Sequence, residues 1–379
     1  MLCAITYVTM VVGRIPIILF LKYYPSDVIV TLGGFIWGPM TSCIVSVIVA
    51  TLEMITVSDT GILGFINIYC GESSTLSSCC RLRSSISDLG YSNTFGAGST
   101  KIGSLGVVTL NLPRLARTSE GGFPAFLGLL RQSTGTASRI NHAKRMFIKD
   151  RIERGSLPLY TLGFMGLSRQ YSTCGFTGLH EALSILGFDM LTEEGLQAAE
   201  DALTVINETN AKLSKLLGTP HNMEQVPAES SAVKLAKKDA LLGLNPERTP
   251  LYSNQFLPLW EEGADLLDRI RVQGRLDGHC TGGAICHLNV ATEITDPAVM
   301  EALIHHAAAS GAVYFAVNHQ INRCAQGHMT VGRNDACPTC GAPVIDTFTR
   351  VVGFLTNTKH WNKTRREHDW PERTFAEHA

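Results

Sequence analysis

Charge is scarce in this sequence, and in one stretch it is absent. Charged residues make up 17% of the 379 residues, and the formal net charge is -1. A chain so close to neutral gives no reason to expect a nucleic acid as a partner. Between Asp27 and Glu53 there is no Asp, Glu, Lys or Arg. That length can cross a roughly 30 Å hydrocarbon layer as one tilted helix or two short ones. Leu2 to Leu21 is a second candidate span, interrupted by Arg14 and Pro16.

A secretory signal with a cleavage site is also missing, as are internal repeats and low-complexity tracts. The eleven cysteines are therefore interpreted as reduced thiols, metal ligands or redox catalysts rather than as a disulfide framework. The length suggests two or three domains and ample material for a core.

Residues 1–70 are strongly apolar, and we expect transmembrane-like helices there. A buried helical hairpin or a signal-anchor is the alternative. The stretch LKYYPSDVIVTLGGFIWGPM, which begins at Leu21, resembles the substrate-binding membrane subunit of energy-coupling-factor vitamin transporters, the riboflavin type in particular. The resemblance covers about residues 5–68, or two to three of that family's helices. It implies membrane association of 1–70 and, as an alternative function, a vitamin-binding transporter fragment that carries the rest of the chain as a passenger.

The remainder alternates between strand and helix patterns. We predict strands at Leu105–Leu112, Ala284–Val290 and Val313–Val317 from their β-branched, apolar composition. A Gly-rich turn that leads into a helix is predicted at Tyr171–Leu186. Further helices are predicted at Ile140–Glu153, from the N-cap Thr192 to Leu217, at 227–242, at Leu259–Val272 and at Pro297–Ala309. Strands separated by helices favour an α/β fold with a parallel sheet or barrel.

The segment CAQGHMTVGRNDACPTCG, 324–341, contains the most specific local motif. Cys337 and Cys340 form a C-x-x-C knuckle, and Cys324 and His328 lie upstream. Thiolates and an imidazole suit zinc, and four protein ligands would make the site structural. The sequence leaves the fourth ligand open, because Gly327 stands where a second C-x-x-C would place a cysteine. A redox pair is the alternative, although no thioredoxin-like context surrounds it.

The segment that follows, IDTFTRVVGFLTNTKHW, has Gly353 in the middle of an apolar run. A glycine in the interior of a strand lowers the stability of that strand. A bulge or a tight bend is one explanation for its presence. A cysteine cluster followed by RVVGFL resembles the C-terminal signature of the anaerobic ribonucleoside-triphosphate reductases, which are glycyl-radical enzymes. The resemblance implies that Gly353 stores a radical, which an activase containing an iron–sulfur cluster and using S-adenosylmethionine would install. Its physical basis is that a glycine Cα radical can become planar between its two amide groups.

The same resemblance extends over about residues 76–379 and implies further site residues. SSCCRLRSSISDLG matches the family's finger loop, near 76–90, and makes Cys80 the transient thiyl, whereas a pair of buried thiols with Cys79 is the alternative. In KIGSLGVVTLNLPRLA, Asn111 matches the asparagine that binds the substrate ribose, since a carboxamide both donates and accepts hydrogen bonds. A strand-end turn asparagine would look the same.

Two segments, STCGFTGLHEAL and EQVPAESSAVKLAKKD, place small or hydroxyl residues at helix N-termini, where backbone N–H groups favour phosphate. In the second, Ala228, Glu229, Ser230 and Ser231 are the candidates for the substrate triphosphate. Ordinary helix capping explains them nearly as well. Cys174 could approach the radical site or simply pack in the core.

A second group, His279, Cys280, Cys286 and His287, has spacings that suggest a metal. By the resemblance it belongs to a barrel strand and its loop, so no metal is assigned to it.

Together these patterns predict four segments. They are membrane-like helices at 1–70, the second half of a ten-stranded glycyl-radical α/β barrel at 71–320, a zinc clip at 321–345, and the radical loop with the tail at 346–379. The expected activity is radical reduction of ribonucleoside triphosphates for deoxyribonucleotide synthesis, in a truncated form. The implied partners are the triphosphate substrate, the activase and a second copy in a homodimer. The reductase part is expected in the cytoplasm.

Overall fold

The computed structural model describes residues 15–18, 21–23, 75–77, 83–85, 103–226, 228–351 and 355–376. The chain divides into two compact units, Met1–Asn67 and Ile68–Ala379.

In the first unit, strands β1 (Ile15–Ile18) and β2 (Leu21–Tyr23) pair antiparallel. The helix predicted from Leu2 to Leu21 is therefore wrong at its C-terminal end. Pro16 would remove a backbone hydrogen bond from a helix, and β-branched isoleucines favour a strand. Within the described ranges, no helix combines the length and the apolarity needed to cross a bilayer. The charge-free stretch 28–52 lies outside those ranges.

The second unit begins, in its described part, with another small hairpin. Strands β3 (Thr75–Ser77) and β4 (Arg83–Ser85) pair antiparallel, with Ser77 opposite Arg83. The connecting residues 78–82 include Cys79 and Cys80 and lie outside the described residues. The chain order is thus strand, cysteine pair, strand.

A parallel sheet forms the centre of this unit. Its strands are β5 (Gly103–Asn111), β6 (Gln170–Thr177) and β7 (His221–Gln225), in that spatial order. Strands β8 (Cys286–Asn289) and β9 (Phe315–Asn318) form a second parallel pair. A parallel bridge between Glu224 and Gly283 connects β7 to the segment that leads into β8. The predicted α/β organisation with parallel strands is confirmed.

Nine helices occur among the described residues, mostly between the strands. They are α1 (Leu112–Thr118), α2 (Gly122–Glu153), α3 (Pro158–Thr161), α4 (Leu179–Ile185), α5 (Glu193–Leu217), α6 (Glu229–Leu241), α7 (Leu266–Asp277), α8 (Pro297–Ala309) and α9 (Lys363–His368).

The main core lies where α2 and α5 cover the three-stranded sheet. Phe126 and Leu130 of α2, Leu203 and Ile206 of α5, and Met223 of β7 are each fully buried in one apolar cluster. Full burial of such a side chain contributes about 1.5–3 kcal/mol. This packing holds the strand ends, and hence the candidate site, in place.

The helix predictions hold where a local signal marks the start. The Thr192 hydroxyl accepts a hydrogen bond from Gly195 N at 3.1 Å, as expected of an N-cap. Helix α8 has the predicted bounds. The predicted helix at Leu259–Val272 instead begins at Leu266, because Asp265 and Asp268 form a capping box there. Within the predicted turn and helix at Tyr171–Leu186, the part up to Thr177 is instead the buried strand β6, and the helix is α4.

A separate antiparallel sheet follows near the C-terminus, in the order β11-β10-β12-β13. Its strands are β10 (Ile321–Cys324), β11 (Met329–Val331), β12 (Val344–Arg350) and β13 (Leu355–Asn357). Arg350 pairs with Leu355, so residues 351–354 connect two neighbouring strands. Gly353 belongs to that connection and lies outside the described residues.

Candidate functional site

Four metal-ligating side chains converge beside the antiparallel sheet. The ligand atoms of Cys324, His328, Cys337 and Cys340 all lie within 4.8 Å of one another. Cys324 Sγ is 3.6 Å from His328 Nδ1 and 3.8 Å from Cys340 Sγ, and His328 Nδ1 is 3.2 Å from Cys340 Sγ. Zn–S and Zn–N bonds of about 2.3 and 2.0 Å place the ligands of a tetrahedral ion about 3.5–3.8 Å apart. The residues present therefore fit a tetrahedral metal ion.

Backbone turns bring the ligands together. Gly327 has a φ of +88°, which a side chain would disfavour. Its N–H donates to Cys324 O at 2.9 Å, and the His328 N–H donates to Cys324 Sγ at 3.3 Å. The glycine thus forms the turn, and the next residue, His328, brings its imidazole to the three cysteines. Burial opposes ionisation of Cys337, but backbone N–H groups of Thr339 and Cys340 outweigh it and lower its pKa to about 6.

Val351, two residues before Gly353, is anchored by packing. Val351 is buried against Trp361, with Trp370 packed on the same cluster. Gly353 and Cys80 both lie outside the described residues.

Asn111 caps α1 at the end of β5. Its Oδ1 accepts a long bond of 3.4 Å from Arg114 N, and its Nδ2 donates to Asp239 Oδ2 at 2.7 Å. The structure therefore shows the strand-end role that the sequence left open. A carbonyl oxygen has two lone pairs, so Oδ1 can accept a second hydrogen bond.

Asp239 is the centre of this arrangement, and sequence reasoning missed it. Its carboxylate is fully buried and accepts from Asn111 Nδ2, from Arg114 Nε at 2.7 Å and from the Tyr252 hydroxyl at 2.9 Å. Burial, together with the Asp239 carboxylate, raises the pKa of Tyr252. Because Asp239 is 128 residues from Asn111 and 125 from Arg114, no local signal could have grouped them.

The first turn of α6 carries the four candidate triphosphate residues. Ala228 occupies the N-cap position, where it offers no side-chain acceptor, and Glu229 and Ser230 are exposed. Helices α5, α7 and α8 are instead capped by the side chains of Thr192, Asp265 and Asp296. An uncapped N-terminus that is open to solvent leaves backbone N–H groups available to an anion.

Two further cysteines, Cys174 in β6 and Cys286 in β8, are buried core residues. Burial raises the pKa of Cys174 and of Cys286 to about 12, so both are neutral thiols. Across the described ranges, the cluster of Cys324 is the only one with three or more converging His, Cys, Asp or Glu ligands.

By fold, the chain is an α/β protein whose parallel sheet is followed by an antiparallel sheet with a Cys/His cluster. A family model described as anaerobic ribonucleoside-triphosphate reductase matches residues 23–374. The chain therefore belongs to this family, as its C-terminal motifs predicted.

Solved structures agree with this assignment. One anaerobic ribonucleotide reductase has 39% sequence identity and a TM-score of 0.68, covering 73% of this chain and 46% of that chain. The Thermotoga maritima enzyme in complex with dATP and CTP has 40% identity and a TM-score of 0.62, covering 70% of this chain and 45% of that one. The chain thus spans about half the length of the structures it matches. A search of curated proteins gave no match.

The resemblance of residues 5–68 to a vitamin transporter subunit finds no support in these comparisons. The reductase family match itself starts at residue 23 and so covers most of that segment. The membrane-helix interpretation of 1–70 is likewise unsupported by the described residues.

Proposed function

We propose that this chain carries out the radical step of anaerobic ribonucleoside-triphosphate reduction. The observation that carries the proposal is the family match over 23–374, a range that contains every site residue predicted from the sequence. In this proposal, the α/β fold around them is the second half of a ten-stranded barrel, and a finger loop lies near 76–90.

In this proposal Gly353 stores the radical after an activase removes a hydrogen atom from its Cα. The Gly353 radical takes the hydrogen atom of the Cys80 thiol, which becomes a thiyl. The thiyl then removes the 3′ hydrogen of the ribose, the 2′ hydroxyl leaves as water after protonation, and formate or a thiol system supplies two electrons. Return of the 3′ hydrogen from Cys80 restores the thiyl.

Binding and positioning fall to described residues. The uncapped first turn of α6, with Ser230 and Ser231, offers N–H and hydroxyl donors to the triphosphate. Asn111 Oδ1 is available to a ribose hydroxyl, while Asp239 holds its Nδ2. Both groups belong to one structural unit, because Asp239 is itself a residue of α6.

Zinc is the metal we propose for Cys324, His328, Cys337 and Cys340. Four protein ligands leave no open position, so the ion would supply structure rather than Lewis-acid chemistry. In the sequence, the site extends from the last residue of β10 to the segment just before β12. A bound ion would therefore fix β12, the strand that leads into the radical loop.

The radical proposal is tested by electron paramagnetic resonance after anaerobic incubation with an S-adenosylmethionine-dependent activase. We expect a glycyl doublet from the wild type and from Gly128→Ala, which adds a methyl where nothing lies within 4 Å. Gly353→Ala should give no doublet, because the added methyl group obstructs a planar radical at Cα. A wild type without a doublet, or a doublet that persists in Gly353→Ala, would refute radical storage at Gly353.

The zinc proposal is tested by elemental analysis of purified protein. We expect stoichiometric zinc in the wild type and its loss in Cys337→Ser, since a serine hydroxyl is a poor substitute for a thiolate ligand. Cys174→Ser, at a buried thiol in the core sheet, is the control and should keep the metal. Zinc-free wild type with a Cys337–Cys340 disulfide would instead support the redox pair.

A further inference from the structure

Three charged side chains near the C-terminus are almost completely removed from solvent. Arg365, Asp369 and Arg373 have 2%, 0% and 2% of their surface exposed. Arg365 lies in α9, whereas Asp369 directly follows that helix and Arg373 comes after the turn beyond it. Asp369 accepts from Arg373 Nε at 2.6 Å and Nη2 at 3.1 Å, and from Arg365 Nη1. Burial alone would raise the pKa of Asp369, but the two guanidinium groups outweigh it and lower this pKa.

The arginine N–H groups that do not bind Asp369 donate to backbone carbonyls in two segments that are far apart in the sequence. Arg373 donates to Arg350 O at 2.7 Å and to Val351 O at 3.0 Å. Those carbonyls belong to the end of β12 and the residue after it, and Val351 precedes Gly353 by two residues. The Arg373 guanidinium also lies over the Trp361 ring, 4.6 Å from its centroid.

Arg365 reaches the other place, the N-terminus of α6. Its Nε donates to Glu229 O at 2.9 Å and its Nη2 donates to Ala228 O at 3.1 Å. These are the backbone groups of the candidate triphosphate turn. The three side chains carry a net charge of +1, from two arginines and one aspartate. A positive charge beside a helix N-terminus is unfavourable by itself and is compensated when an anion binds there.

Stability alone does not explain this arrangement. A buried ion pair or triad can often be replaced by apolar side chains without loss of stability. What distinguishes this triad is its four hydrogen bonds to backbone carbonyls, two at 228–229 and two at 350–351. These bonds fix the two backbone segments relative to each other. A planar, rigid fork of donors suits arginine to this task better than lysine.

We propose that Asp369 is a positioning residue: it orients Arg365 and Arg373 so that the backbone entering the radical loop is held at a fixed position relative to the triphosphate-binding turn of α6. The inference rests on the function proposed above for Gly353 and for α6. Asp369 does not contact the reacting atoms in this scheme. Its role is to keep the radical loop at a fixed position relative to the bound substrate.

The first test needs no catalysis. Hydrogen exchange is measured by mass spectrometry on the full chain, comparing wild type with Asp369→Asn, Arg373→Lys and Asp277→Asn. We expect Asp369→Asn to accelerate exchange about tenfold or more both in 349–357 and in 228–233, and to leave the metal segment 324–341 unchanged. Arg373→Lys keeps the charge but loses the fork, so it should accelerate 349–357 alone.

Asp277→Asn controls for a general loss of stability. Asp277 is also buried and accepts from Gln273 Nε2 and Val313 N, remote from both segments in the sequence, so its variant should not affect 349–357 selectively. Unchanged exchange in Asp369→Asn, or equal effects of Asp369→Asn and Asp277→Asn on both segments, would overturn the proposal. If Asp369→Asn does not fold, as judged by circular dichroism, Arg373→Lys decides the matter: exchange in 349–357 that is no faster than in wild type and in Asp277→Asn would overturn the proposal.

The second test measures the yield and lifetime of the glycyl radical by electron paramagnetic resonance. At equal activase, Asp369→Asn should give a severalfold weaker or shorter-lived glycyl doublet, whereas Asp277→Asn should match the wild type. A doublet of normal yield and lifetime in a folded Asp369→Asn would overturn the positioning role. If the wild type itself gives no doublet, the proposed function fails, and the exchange measurement still judges whether Asp369 ties the two segments together.

Discussion

Replacing Asp239 by asparagine perturbs the most connected buried carboxylate of the candidate site. Asp239 accepts hydrogen bonds from Asn111, Arg114 and Tyr252, and its side chain is fully buried. Asparagine is nearly isosteric, so no cavity forms. Its amide nitrogen is a donor, however, and one side of the group would then face donors that have no acceptor.

The expected loss follows from these contacts. Breaking a buried ion pair costs about 3–5 kcal/mol, because a charge is left without its partner. Here the Arg114 side chain is 34% exposed and can regain water. We therefore expect Asp239→Asn to lower the free energy of unfolding by about 2–4 kcal/mol. Urea unfolding followed by circular dichroism measures this change as a lower midpoint.

The matched control is Asp150→Asn. Asp150 also pairs with an arginine, Arg154, at 2.9 Å, but the two side chains are 43% and 66% exposed. An exposed pair contributes about 0–1 kcal/mol, so this variant should unfold nearly like the wild type. Equal midpoints for Asp239→Asn and Asp150→Asn would refute the argument that Asp239 organises the site.

A double-mutant cycle then isolates the contact between Asp239 and Asn111. Asn111→Ala removes both the α1 cap and the bond to Asp239, and a cap alone contributes about 1 kcal/mol. Combining Asn111→Ala with Asp239→Asn should give a loss smaller than the sum, with a coupling of about 1–2 kcal/mol. Additive losses would mean that Asp239 does not hold Asn111 in solution.

Two further predictions concern stability elsewhere in the sheet unit. Burial raises the pKa of Glu181 to about 7 from an ordinary value near 4.5. Its contribution to stability is therefore full below the lower value and lost as the pH rises through the higher one. From pH 5.5 to 8.5 the wild type should lose about 2 kcal/mol more than Glu181→Gln in urea titrations, and parallel pH profiles would contradict this. In Gly274→Ala, the new Cβ would lie 1.9 Å from Ser310 O, so thermal unfolding should occur at a clearly lower temperature. Gly135→Ala, also in a helix but with nothing within 4 Å, should be neutral or stabilising, and a similar drop in both variants would refute the close-contact argument.

The parts of the fold that were predictable carry their signals locally. Helix α5 begins directly after its N-cap Thr192, and helix α8 begins at Pro297, a residue type common in the first turn. Strand β6 was missed because QYSTCGFT contains glycine and small polar residues, which are typical of turns. It is a strand because β5 and β7 pair with it on both sides. Gly175 is required there by packing, since a Cβ would lie 2.0 Å from Val226 Cγ2.

The candidate site divides in the same way. The residues of the proposed zinc site could be grouped from the sequence, because 17 residues contain them all and two glycine turns, at Gly327 and Gly341, bring them together. They are Cys324, His328, Cys337 and Cys340. No such proximity connects Asp239 with its partners, which are 125 and 128 residues away for two of its bonds. Only the packed sheet and helices bring them into contact.

The arginines of the C-terminal segment are an intermediate case. Arg365, Asp369 and Arg373 have the four-residue spacing of helical ion pairs, which the sequence displays plainly. That spacing predicts an exposed, weakly stabilising helix face, because most such pairs are solvated. Burial reverses the expectation, since each arginine then needs acceptors for its remaining donors. It finds them in backbone carbonyls at 228–229 and 350–351, and a carbonyl is common to every residue. An arginine that binds backbone carbonyls requires no particular side chain from its partner, so the proposed positioning role of Asp369 could be inferred only from the folded chain.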